Sequence, residues 1–311
     1  PSSQPSGQPT GQPSTNLGAY QNDLEAFCDG LSCKTNSKFT SWNFTKTLGN
    51  YVNDPCGSPV WYGLKCTAHQ IGDMNHVYSL NVSNSGLSGQ ISASLGKLTV
   101  LTSLSLEGNS INGKIPSSLS LLENLETLDL SLNSLTGPFP TSLSSLTSLK
   151  ALDLHQNSLT GPVLTTVSQL TTLTALNVGA NSFSGSLLPG NGSLLPGLGS
   201  LSNLLSADFG NNSFSGAMPA NVGLQSLKNL TYLDLGGNSL TGVVDLCNLE
   251  SHLSTLDVQG DSNLTCYFPC WSSSSKLKHD TTLKACAGPT GQPTSQPTMV
   301  PSGQPTSTPT R

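Results

Sequence analysis

Leu101-Thr102-Ser103-Leu104-Ser105-Leu106-Glu107-Gly108-Asn109-Ser110-Ile111-Asn112-Gly113-Lys114-Ile115-Pro116 is the clearest copy of a motif, L-x-x-L-x-L-x-x-N-x-L-x-G-x-x-P, that recurs between Val77 and Cys270. Its asparagines are Asn109, Asn133, Asn157, Asn181, Asn212 and Asn238, spaced 24, 24, 24, 31 and 26 residues apart. A period of this length means one supersecondary unit per repeat, stacked on its neighbours. Each residue type has a mechanical reason. The Leu-x-Leu pair predicts a short strand with both leucines turned inward, and stacked copies make a parallel sheet. The Asn amide can donate to carbonyls of adjoining turns that a tight coil would otherwise bury unpaired. Gly113 and its equivalents permit a sharp backbone path. The following proline ends any helix and holds the far side extended. A first, degenerate coil starts at Val77 with Ser85 in the asparagine place, and a last one carries Asp261 there. The 31-residue interval holds a duplication, GSLLPG at 185–190 and again at 192–197, which predicts a loop bulging from the stack. No coil buries its leucines alone, so an array of about eight coils needs capped ends.

Outward from this array the composition is unusual. Of 311 residues only 9% are charged, against about 25% in ordinary soluble domains. Hydrophobic residues make up 35%, aromatics 5%, and the net charge is -5. Twelve basic residues without a cluster argue against nucleic acid, which needs a basic patch. No apolar run approaches the eighteen or so residues of a membrane span, so no membrane insertion is expected. A start at Pro1 reads as a mature or excised segment. The two ends are tetrads of Pro, Ser or Thr, and two small or polar residues: PSSQ-PSGQ-PTGQ-PSTN over 1–16, and PTGQ-PTSQ-PTMV-PSGQ-PTST from Pro289. Such segments have almost no apolar surface to bury and favour polyproline II over a core. Their hydroxyls read as O-glycosylation points: Ser2, Ser6, Thr10, Ser14, Thr290, Thr294, Thr298, Ser302, Thr306 and Thr310.

The repeat resembles the plant-type extracellular leucine-rich-repeat family, whose signature is L-x-x-N-x-L/I-x-G-x-I/F-P. Trp42-Asn43, Asp54-Pro55-Cys56 and Trp61-Tyr62-Gly63-Leu64-Lys65-Cys66 are similar to the cysteine-paired N-cap of plant receptor ectodomains and polygalacturonase-inhibitor proteins. Cys28 and Cys33 depart from that pattern as an extra close pair. No kinase or span accompanies the array, so a receptor-kinase role is not implied. The tails are similar in composition to those of algal wall or surface glycoproteins. The expected fold is a leucine-rich-repeat solenoid of the α/β repeat class. It has a parallel sheet on one face, 3-10 or extended turns on the other, disulfide caps at both ends and polyproline II-like tails. The domains are an arm at 1–16, an N-cap at 17–76, repeats at 77–270, a C-cap at 271–288 and an arm at 289–311.

All eight cysteines flank the coils, four on each side, which reads as disulfide staples in an oxidising compartment. Spacing lacks the paired C-x-x-C of a zinc site. Cys28–Cys33 and Cys56–Cys66 are the expected N-side pairs. On the C-side, Cys247 and Cys270 each lie fourteen residues after the first leucine of their strand pair, Leu233 and Leu256. Stacking then places them within reach and leaves Cys266–Cys286, although Cys247–Cys266 with Cys270–Cys286 stays open. Six sequons, at Asn43, Asn81, Asn191, Asn211, Asn229 and Asn263, are candidate N-glycosylation sites.

No enzyme motif is present: no G-x-S-x-G, phosphate loop or dinucleotide fingerprint. His69, Asp73 and His76 have ligand-like spacing, but Gly72 interrupts them, and neither metal nor cofactor is expected. The strand face is the remaining candidate. Asp129, Asp153, Asp208, Asp234 and Asp257 take the same place between inward strand residues, with Tyr78, His155 and Tyr232 as the other distinctive side chains. This strip would bind a cationic partner or Ca²⁺, or serve only as a solvated, repeat-wide habit. The leading expectation is a secreted, glycosylated structural or adhesive module. It would self-assemble, or associate with other extracellular glycoproteins or polysaccharide, in a fibre, wall or surface appendage. The alternative is a recognition module that binds a protein or polysaccharide through the concave face. A third reading is ice binding through rows of Thr and Ser.

Overall fold

A computed structural model describes residues 17–41, 46–47, 50–51, 62–66, 77–187, 197–218, 224, 226–271 and 275–286. Both expected Pro-Ser/Thr arms lie outside these residues, as do Asn43, Cys56, His69, Asp73, His76 and Asn191. The repeats build a solenoid. A ten-stranded sheet collects one strand from each coil, among them Ser103–Ser105, Thr127–Asp129, Ala151–Asp153, Ala175–Asn177, Ser206–Asp208, Tyr232–Asp234 and Thr255–Asp257. These strands pair in parallel without slippage, Leu104 to Leu128 to Leu152 to Leu176 to Ala207 to Leu233 to Leu256. The register holds because a one-residue slip would turn every core leucine outward. It also survives the long interval: Ala175 pairs with Ser206 although the GSLLPG duplication lies between them.

The far side carries the expected 3-10 turns. Pro116 and Pro140 are themselves extended and lead into them, whereas Pro162 leads into the short α-helix Leu164–Val167. Pro116 precedes Ser117–Leu121 and Pro140 precedes Thr141–Ser145, and each turn buries its central leucine, Leu119 and Leu143. Between the two faces runs a second, eight-stranded parallel sheet, including Ser110–Gly113, Ser134–Pro138, Ser158–Gly161, Ser182–Ser186, Ser213–Ala217 and Ser239–Val244. Gly113, Gly137 and Gly161 within it have φ of 78°, 78° and 79°, a left-handed conformation that only glycine adopts without strain.

The asparagines form the ladder that the repeat implies. In Asn157, Nδ2 donates to the carbonyls of Leu130 (3.0 Å), Leu154 (3.1 Å) and His155 (3.3 Å), while Oδ1 accepts from the Leu135 N–H (2.9 Å). Asn109, Asn133, Asn181, Asn212 and Asn238 repeat this arrangement. The last rung is Asp261, whose Oδ1 still accepts from the Leu240 N–H at 2.9 Å. Its side chain is 3% exposed, and burial pushes its carboxyl up to about 6.

Both ends are closed. The helix Leu17–Gly30 lays Leu24 and Phe27 over the first coil, and Lys97 pairs with Asp23 at 3.0 Å. Gly30 sits so close to Gly89 that a Cβ on Gly89 would strike the Gly30 carbonyl. Cys66 is disulfide-bonded. Cys28 and Cys33 depart from the expected staple: both are buried thiols, and their mutual hydrogen bond, with burial, holds the Cys33 thiol far up. At the other end Cys247 joins Cys270 and Cys266 joins Cys286, with Cα atoms 5.8 and 5.0 Å apart. Trp271 is buried.

Candidate functional site

The strand register places one column of outward residues across the ten-stranded sheet: Asn81, Ser105, Asp129, Asp153, Asn177, Asp208, Asp234, Asp257 and Lys278. Each Asp or Asn first serves the backbone. Its Oδ1 accepts from the N–H two residues on, at Ser131, His155, Gly179, Gly210, Gly236 and Gln259 for residues 129 to 257, over 2.8–3.1 Å. This closes each strand into a turn, as Asx residues do. The second oxygens of Asp153, Asp234 and Asp257 meet Asn177, Tyr232 and Lys278 respectively.

Charge is not balanced along the column. Lys278 Nζ stands 3.5 Å from Asp257, and His155 Nδ1 stands 2.8 Å from Asp153. Asp208 and Asp234 are neighbours in register, and among the described residues no Lys or Arg forms an ion pair with either. Desolvation first, and then facing carboxylates, raise both carboxyls above the ordinary Asp value. The Tyr232 hydroxyl donates to Asp234 at 3.3 Å, and burial with the nearby carboxylates pushes it up to about 12. Space for the carboxylates comes from the coil before: a Cβ on Gly179 would meet Asp208, and one on Gly210 would meet Asp234. The structure thus brings Asp153, His155, Asp208, Tyr232 and Asp234 together over four adjacent strands. Tyr78 is elsewhere, six strands from Tyr232 in sheet order, with its carbonyl accepting from Thr102.

The second sheet presents a face to which the sequence reading assigns no role. Ser110, Ser134, Ser158, Ser182, Ser213 and Ser239 follow each ladder asparagine, and Asn112, Thr136, Thr160, Ser184, Ser215 and Thr241 lie two residues further on. The strands are staggered, so Thr136 stands opposite Ser158, Thr160 opposite Ser182, Ser184 opposite Ser213 and Ser215 opposite Ser239. The result is an uncharged, two-dimensional lattice of hydroxyls, with rows about 4.8 Å apart across strands. The signal in the sequence is the N-S-L-T-G phase, masked because Ser and Thr are common throughout the chain.

Of the sequons within the described residues, Asn81, Asn211, Asn229 and Asn263 are all exposed. Among the described residues no group of three His, Cys, Asp or Glu side chains could hold a metal, and no helix is long and apolar enough to cross a membrane.

Sequence profiles of the leucine rich repeat match residues 123–183, 100–122 and 229–249. No curated protein matches the sequence. Among solved structures, the BIR2 ectodomain from Arabidopsis thaliana is 31% identical over 55% of this chain and 87% of its own, with a TM-score of 0.46. PEPR1, solved with AtPEP1, is 26% identical over 85% of this chain but only 41% of its own, with a TM-score of 0.55. A plant ice-binding protein shares the fold at 20% identity over 88% of this chain and 98% of its own, with a TM-score of 0.51. The chain thus carries leucine rich repeats over residues 100–183 and 229–249 and folds as a leucine-rich-repeat solenoid, similar over most of its length to PEPR1.

Proposed function

We propose that this protein is a non-enzymatic extracellular recognition module that binds a basic peptide or protein segment along its ten-stranded sheet. The observation that carries the reading is the uncompensated pair Asp208 and Asp234, flanked by Asp153, His155 and Tyr232. A ligand Lys or Arg would relieve the like-charge contact by donating to the carboxylate oxygens, and Tyr232 supplies a partly apolar anchor. PEPR1 was solved with AtPEP1, and its likeness supports a binding role. Disulfides favour an oxidising, extracellular setting. The structural or adhesive reading rests on O-glycosylation of the Pro-Ser/Thr arms, which lie outside the described residues.

The test is calorimetry with synthetic Lys/Arg-rich peptides against their Glu-substituted counterparts. Asp208→Asn and Asp234→Asn keep the turn-closing oxygen, as Asn177 shows, and each is expected to weaken binding roughly tenfold. Binding should also fade on acidification sooner than an ordinary Asp would allow, because both carboxyls are raised. The same shift means that these two groups favour the fold below the ordinary Asp range and lose that contribution as pH rises. The Asn variants should therefore be slightly more stable at pH 7, so weaker binding will not reflect unfolding. Equal affinity for both peptide sets would sink the idea.

A second reading, ice binding, is favoured by the hydroxyl lattice of the second sheet rather than by the strand face on which the sequence reading seeks its rows. Its check is thermal hysteresis: Thr136→Lys with Thr160→Lys is expected to abolish a freezing gap that Asp208→Asn leaves intact.

A further inference from the structure

The asparagine ladder ends on a residue of the wrong polarity. In the six rungs from Asn109 to Asn238, the Nδ2 group donates to carbonyls two and three residues back and to one in the coil before. For residue 261 those places belong to Gln259, Val258 and Leu235. Aspartate puts an oxygen where the ladder demands a donor. Oδ2 of Asp261 is buried and has no hydrogen-bond partner, in a side chain only 3% exposed. Asp261 lines a cavity of about 220 Å³ together with Ser262, Asp280 and Thr282, over a floor of Val258, Leu264 and Leu283. Ser262 and Thr282 are exposed, so the cavity opens to solvent. Asp280 is fixed there because its Oδ2 accepts from the Gly260 N–H at 3.0 Å. Asp234 adds a third negative charge nearby.

We propose that this cavity is a calcium site that locks the C-terminal cap onto the last coil. Asp261 and Asp280 supply the charge, and the Ser262 and Thr282 hydroxyls supply neutral oxygens. The donor set is all hard oxygen with no nitrogen or sulfur, which suits Ca²⁺ and not Zn²⁺. A cation satisfies the orphaned oxygen as the Asn amide does elsewhere, and it does so by bridging two segments. Asp261 belongs to the last coil, whereas Asp280 follows the final strand, Leu277–Lys278. The site's ligands are not members of the acidic column of the ten-stranded sheet, although Asp234 of that column lies near enough to add to its field.

The experiment is thermal unfolding and calorimetry of the full chain at pH 7, freed of metal with a chelator and titrated with CaCl₂ or MgCl₂. Calcium well above its dissociation constant is expected to raise Tm by roughly 5 °C with one-site binding, and magnesium by less. Asp261→Asn restores the donor used by the other six rungs. It should melt at or above the metal-free wild type and lose the calcium response. Asp280→Asn keeps the acceptor for Gly260 and should weaken calcium binding roughly tenfold, which keeps the test decisive if Asp261→Asn misfolds. A wild-type Tm indifferent to calcium, or raised only by acidification, means that the cavity holds water or a proton and overturns the site. An unchanged calcium shift in both variants overturns it equally.

Discussion

Replacing Asn157 with leucine is expected to lower Tm by roughly 10 °C, corresponding to a loss of about 3 kcal/mol. The side chain makes four hydrogen bonds, three donated to carbonyls and one accepted from the Leu135 N–H. Leucine is nearly isosteric and makes none. The groups left behind lie in a turn clamped between neighbouring coils, where water reaches them poorly, and each orphaned group costs about 1–3 kcal/mol if fully buried. Partial access keeps the sum at the low end. The position matters as much as the count. Asn157 sits in the middle of the array, and a solenoid holds together through nearest-neighbour contacts. The break should therefore split one cooperative urea transition into two, for the coils before and after it. Asn157→Asp should be at least as damaging at pH 7, because it sets a carboxylate oxygen against the same carbonyls. A single unsplit transition with unchanged midpoint would show that the ladder does not hold the coils.

The second large effect is expected at the C-terminal cap. Cys247→Ser with Cys270→Ser opens a link of sequence separation 23 and should remove about 3 kcal/mol by the chain-entropy estimate. Cys266–Cys286 overlaps that loop in sequence, so the cap would remain tethered but no longer clamped to its coil. Loss should be local. Hydrogen exchange is expected to accelerate over residues 255–286, including Trp271, while residues 101–187 keep their protection. Uniform acceleration along the chain would instead mean that the cap governs the stability of every coil.

How much of this was legible differs along the chain. The coils were, because the strand leucines, the asparagine and the glycine recur at fixed phase and each has one mechanical use. The C-side pairing followed from the same phase, since Cys247 and Cys270 hold equivalent places. The second sheet was not legible. Its outward Ser and Thr differ little from the Ser and Thr of turns and arms, so only register reveals the lattice. The helix Leu17–Gly30 was hidden too: it has no acidic residue in its first turn and no basic residue in its last, and ends in glycine. In the candidate site the aspartate column was readable from L-D-L, whereas the pairing of Asp208 with Asp234 depends on how the 31-residue interval restores register. Asp261 stood in the sequence as a degenerate asparagine, but only burial shows that its second oxygen lacks a partner.

The ends of the ten-stranded sheet carry one more consequence. Its outer strands are Leu64–Cys66, which runs antiparallel to its neighbour, and Leu277–Lys278, which is two residues long. Each carries a lysine, Lys65 and Lys278. Short, charged borders and a reversed chain direction are poor templates for a further strand. Strand addition from a second molecule is therefore disfavoured at both borders of the described solenoid, and any contact between molecules would use other surfaces and leave the outward column of the ten-stranded sheet open.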